Sequence, residues 1–145
     1  MRTFKIIVLV LSGLALFYAS SSRLIDPAAA VFLQTFFESP QNSLGIAIDL
    51  VNEIRGVGAV LLLGGIIALI GARRANFRFT SFVVTNVIFC GIVIGRLLSF
   101  LLDGMPNPDL IRVAITEAVL AVLNIVCLVT IIAQGDKPGY LPSQT

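Results

Sequence analysis

Asn52-Glu53-Ile54-Arg55-Gly56 sets a carboxylate and a guanidinium two residues apart inside an apolar run. Arg96 and Glu117 are two further charges within apolar stretches. A charge toward the centre of a bilayer costs at least ~2.5–3.5 kcal/mol on insertion scales, so such groups normally face a bundle and find partners. The planar fork of arginine suits two-point pairing with a carboxylate. On a helix, Ser99 and Asp103 share the face of Arg96, and Asn124 shares that of Glu117. Asn52, Glu53, Arg55, Arg96, Ser99, Asp103, Glu117 and Asn124 are therefore the candidate polar cluster, structural or ligand-binding. Three readings stay open: pairs that fix helix order, a ligand or proton site in a small outward-facing cavity, and side chains that snorkel unpaired.

Other chemistries have little to work with. The chain has no histidine, which removes the usual haem and metal ligand and the usual general base. Its two cysteines, Cys90 and Cys127, lie in separate apolar runs and form neither a CxxC motif nor a disulfide framework. They read as small hydrophobes. Triads, phosphate loops, zinc spacings and dinucleotide fingerprints are missing, which disfavours catalysis by the chain alone and gives no cofactor or metal to expect. A net charge of +2 supplies no field for nucleic acid.

The elements that must hold the cluster are membrane helices. In 145 residues the hydrophobic fraction is 57% and the charged fraction 12%, with a mean hydropathy of +1.00. One domain is expected, an all-α integral membrane four-helix bundle, whose first partner is the lipid bilayer. Apolar runs place the spans at about 4–19, 46–72, 79–102 and 110–133. The first run, with its charged start and small residues at Ala19-Ser20-Ser21, also fits a cleavable signal peptide. A retained helix is favoured, because an even number of spans gives sensible loop charges.

The outer loop, 20–45, carries Asp26-Pro27 as a turn or helix-start signal. A short interfacial helix over 28–37 could follow, with Val31, Phe32 and Phe36 in the headgroup region; a loop packed over the bundle is the plainer alternative. The second span is rich in glycine and alanine, which suits close helix contact in lipid, and Gly91 and Gly95 give the third a small-xxx-small pattern. Asn86 and Asn124 are expected to hydrogen-bond between helices. The tail, 134–145, reads as exposed. Arg2, Lys5, Arg73, Arg74, Arg78 and Lys137 all fall on one side, so both termini are expected to be cytoplasmic.

At ~1.5 Å per residue, Arg96 and Glu117 lie roughly 10 Å in from the outer ends of their helices, and Glu53 and Arg55 about 10–13 Å. Four charges thus share one layer and sum to zero. Glu53 and Arg55 are about 200° apart around the helix, so both cannot face one partner. Either the second helix is contacted on two sides or Arg55 reaches the headgroups.

The Asn52-Glu53-Ile54-Arg55-Gly56 segment, then Gly95-Arg96-Leu97-Leu98-Ser99 with Asp103-Gly104-Met105-Pro106, then Glu117-Ala118, resembles a bacterial family of small four-helix membrane proteins of unknown function. The resemblance covers the second to fourth spans; Gly58 stands where that family's pattern has an aromatic residue. The family is distantly similar to DoxX-like membrane proteins, some of which are linked to quinone or thiol oxidoreductases. It implies the four-helix fold and the bacterial inner membrane, and no activity.

Three functions compete. The first is a non-enzymatic accessory or scaffold component, with a membrane protein partner or a second copy. The second is an oxidoreductase membrane subunit that binds a quinone-like or other amphipathic ligand near Arg96 and Glu117. The third is a small transporter or proton path, which needs an oligomer because four spans leave little room for alternating access.

Overall fold

The computed structural model describes residues 2–27, 44–106 and 108–134, with backbone alone over 44–50. Four helices account for nearly all of it: α1 Arg2–Ile25, α2 Leu44–Arg73, α3 Arg78–Leu102 and α4 Pro108–Ala133. Among the described residues there is no strand. All four helices are long and apolar enough to cross a membrane. The protein is an all-α bundle of a multi-pass type. The proposed short helix over 28–37 and the tail beyond Gln134 lie outside the described residues.

α1 continues to Ile25, well past the expected end near 19. The serines at 20–22 each turn a hydroxyl back on their own helix. Ser20 Oγ donates to Phe17 O and Ser21 Oγ to Tyr18 O, both at 2.8 Å, and Ser22 Oγ donates to Ala19 O at 3.3 Å. A hydroxyl satisfied in this way does not interrupt a helix. The extra turns bring Arg23 onto the bundle, where Nη1 donates to Ala19 O at 2.6 Å.

A 3₁₀ turn, Ala75–Phe77, joins α2 to α3, and Gly104, with φ at +95°, makes the turn before α4. That conformation strains any residue with a Cβ. Packing follows chain order. α1 and α2 share the closest contact, α2 meets α3, α3 meets α4, and the seam between α4 and α1 is the loosest side.

Glycines explain the tight sides. A Cβ on Gly65 would stand 3.1 Å from Gly13 O, and one on Gly13 would stand 3.2 Å from Gly65 O, so α1 and α2 touch backbone to backbone. Gly64 leaves room for the Ile88 side chain, and Gly71 for the Ser81 hydroxyl, which donates to Ile67 O at 2.7 Å. Gly91 and Gly95 do not serve this purpose: nothing lies within 4 Å of where their Cβ would be. Among the described residues no helix contact is made there; the glycines of α2 meet α3 earlier along it, at Ser81 and Ile88.

The core falls into two apolar layers with a polar layer between them. Val8, Leu9, Ala68, Phe82, Cys127 and Ile131 form the layer nearer the basic end, where Lys5, Arg73 and Arg78 lie. Leu16, Leu61, Phe89, Leu120 and Ala121 form the other. At the basic end Lys5 Nζ donates to Gln134 Oε1 at 2.8 Å, which ties α1 to the end of α4.

Candidate functional site

The polar layer in mid-bundle joins three helices through fully buried side chains. Asn124 Nδ2 donates to Ser12 Oγ at 2.7 Å, and Thr85 Oγ1 donates to Asn124 Oδ1 at 2.8 Å. Asn124 Nδ2 also reaches Leu120 O at 2.7 Å. All three residues have no accessible surface. Counted along the helices from Lys5, Arg78 and Ala133, the layer sits about 10–14 Å in, at mid-depth of a ~30 Å hydrocarbon core. Asn124 is thus the interhelical bond expected of it, and Ser12 and Thr85 are partners that sequence reading passed over. Asn86 is different. Its Nδ2 donates to Phe82 O within the same helix at 2.7 Å, while its buried Oδ1 has no partner. Expected as an interhelical bridge, it makes no interhelical hydrogen bond among the described residues, its amide being held by a carbonyl one turn back.

Toward the other end, α3 and α4 are joined by a two-point ion pair. Arg96 Nε donates to Glu117 Oε2 at 2.5 Å and Nη2 to Oε1 at 3.0 Å. Their side chains are 17% and 13% accessible. This fork-on-fork geometry fixes both groups in orientation as well as distance.

The remaining candidates do not join this pair. Ser99 Oγ donates to Asp103 Oδ2 at 2.9 Å on the exposed end of α3. Asn52, Glu53 and Arg55 are all exposed on α2. Among the described residues none of the three has a side-chain hydrogen bond or ion pair. The common level of the charges is nonetheless there: Arg55 lies about 27 Å from Arg73, Arg96 about 27 Å from Arg78 and Glu117 about 24 Å from Ala133 along their helices. That is the outer edge of a ~30 Å hydrocarbon core, where a long side chain reaches headgroup water. On α2 both Glu53 and Arg55 are exposed, so neither is covered by another described helix.

A cavity of about 390 Å³ opens at the same level. It follows the loose seam between α1 and α4. Leu16, Leu61, Phe89, Ile92 and Leu120 make its floor, contributed by all four helices. Tyr18, Ser22, Arg23, Arg112, Thr116 and Glu117 make its polar edge. Glu117 therefore serves two surfaces, with both oxygens on Arg96 and its flank on the cavity. Arg23 is near enough to feel the charges of both Glu117 and Arg96. Arg112 gives one N–H to Asp109 at 3.0 Å and stays 80% accessible. Tyr18, Val113 and Thr116 are exposed lining residues and mark the mouth. Arg23 and Arg112 carried no motif in the sequence; their spacing from Ala19 and Thr116, one helical turn each, was the available signal.

No group of three or more metal-capable side chains occurs among the described residues. Cys90 and Cys127 are free thiols within or beside the apolar layers. What the site offers is an apolar slot with hydrogen-bond donors at one end.

The model of a family described as a domain of unknown function, DUF4345, matches residues 4–128. The chain belongs to this family. The match takes in every residue that lines the cavity and both members of the ion pair. No curated protein and no solved structure matches the chain.

Proposed function

We propose that this protein is a non-enzymatic accessory component of the bacterial inner membrane that holds one amphipathic molecule in the seam between α1 and α4. The observation that carries this reading is the cavity itself, apolar at its floor and polar at its edge, the order in which a lipid changes from chain to headgroup. Binding pockets of this kind combine an apolar lining with a few convergent polar groups. The slot lies at the loosest side of the bundle, so a molecule in the bilayer reaches it by lateral movement. The buried bond at Asn124 and the part-buried one between Lys5 and Gln134 hold the other half of that seam shut.

With the basic end cytoplasmic, as the distribution of arginine and lysine favours, the slot sits in the outer half of the membrane. An accessory role implies a membrane protein partner or a second copy that receives or presents the bound molecule. The DoxX-like resemblance would make a quinone-like head one member of the ligand class. A photoreactive, single-chain amphiphile added to membranes tests the reading. Cross-links are expected on α1 between Ala15 and Arg23 and on α4 between Arg112 and Leu120. Labelling spread evenly over the lipid-facing surface of all four helices would overturn it.

A further inference from the structure

The inventory of charge and volume around the cavity narrows the ligand further. We infer that the slot takes a single-chain amphiphile with an anionic oxygen head, a carboxylate or a phosphate; this rests on the binding function proposed above.

Volume sets the chain count. Both walls run about 12 Å, Ala15 to Arg23 on α1 and Arg112 to Leu120 on α4. Liquid water occupies ≈ 30 Å³ per molecule, and a methylene group is of similar size. A space of about 390 Å³ then holds roughly a dozen chain atoms on that scale. One chain fits. An ordinary phospholipid would leave its second chain outside the slot.

Charge sets the head. The lining carries Arg23, Arg112 and Glu117. Left alone, Glu117 would repel an anion and attract a cation. Arg96 removes that effect from behind by occupying both carboxylate oxygens. Among the described residues around the cavity, the three guanidiniums of Arg23, Arg96 and Arg112 thus outnumber the two carboxylates paired with them, Glu117 and Asp109. Arg112 spends a single N–H on Asp109, which leaves donors on a planar fork for two-point contact with carboxylate or phosphate. Thr116 turns its hydroxyl back to Arg112 O at 3.0 Å and offers its oxygen as an acceptor, and Tyr18 stands at the mouth. A neutral head finds hydrogen bonds here; an anionic one also finds the field.

The test is a thermal-shift and competition series on the full chain in detergent micelles. The probes are palmitate, the alcohol of the same chain length, a lysophosphatidate and two-chain phosphatidylglycerol. Palmitate, the lysophosphatidate or both should stabilise the chain and displace a bound fluorescent fatty acid at concentrations about ten-fold below the alcohol, the size of one charge-assisted hydrogen bond. Arg112→Gln, at an exposed position, should erase that ten-fold preference by weakening the anionic probes more than the alcohol. The carboxylate and phosphate arms show which head is preferred. Equal displacement by acid and alcohol would overturn the head assignment and leave the binding function standing. Tightest binding by phosphatidylglycerol would overturn the single-chain assignment. Ala19→Trp and Leu120→Trp each fill the slot from a different wall and should abolish binding of every probe. Binding that persists in both filled variants, or none in the parent chain, would overturn the binding function itself.

Discussion

Arg96 and Glu117 meet as fork on fork, two hydrogen bonds at 2.5 and 3.0 Å joining α3 to α4 at the polar edge of the cavity. Removing one partner leaves the other charge without its hydrogen bonds, which costs about 1.5–3 kcal/mol at a charged site. The upper range for fully buried pairs is not reached, because 17% and 13% of the two side chains remain accessible. Arg96→Met and Glu117→Gln should each lower the melting temperature in detergent, and the double variant should lose less than the two combined. Additive losses in that cycle would show that the two groups act independently.

The glycine contacts give a sharper contrast. Gly65 lies against Gly13 O, whereas the position of a Cβ on Gly95 is open. Gly65→Ile should therefore destabilise the bundle by about 1–3 kcal/mol, the usual range for overpacking, and Gly95→Ile should be nearly silent. Urea or thermal melts of the two variants side by side settle it. A larger loss at Gly95 would mean that α3 is covered on that face.

Orientation is open to direct measurement. In a chain with Cys90→Ala and Cys127→Ala, single cysteines at Gln134 and Met105 lie at opposite ends of α4. The positive-inside rule places Gln134 in the cytoplasm and Met105 outside. An impermeant thiol reagent applied to intact cells should label Met105→Cys at once and Gln134→Cys only after lysis. The reverse pattern would turn the cavity to the inner half of the membrane.

Much of this architecture was legible in the residues, because hydropathy over some twenty residues is a strong signal and turns such as Gly104-Met105-Pro106 interrupt it cleanly. The Arg96–Glu117 pair was legible too, since depth along each helix and opposite sign are both readable from numbering. Rotation was harder. Depth alone gathered Glu53 and Arg55 into the same cluster, but α2 carries them on exposed faces. Likewise Gly91 and Gly95 have the spacing of a contact motif and no neighbour; spacing tells that a helix can approach, not that one does. Ser12 and Thr85 were hidden by their chemistry, as a small hydroxyl in an apolar run is ordinary until its partner is known. Arg23 was missed because the first span was expected to end near 19, whereas the three serines that follow have hydroxyls satisfied inside the helix and let it continue.

The most direct measurement is native mass spectrometry of the full chain released gently from its membrane, with Ala19→Trp as the comparison. Ala19 lines the slot on α1, and an indole there occupies the space a ligand would need. The account predicts that the parent chain carries one additional small amphiphile per copy, and that the variant, equally folded by its helical signal, carries none. A parent chain that arrives bare, or a variant that retains the same adduct, would contradict it.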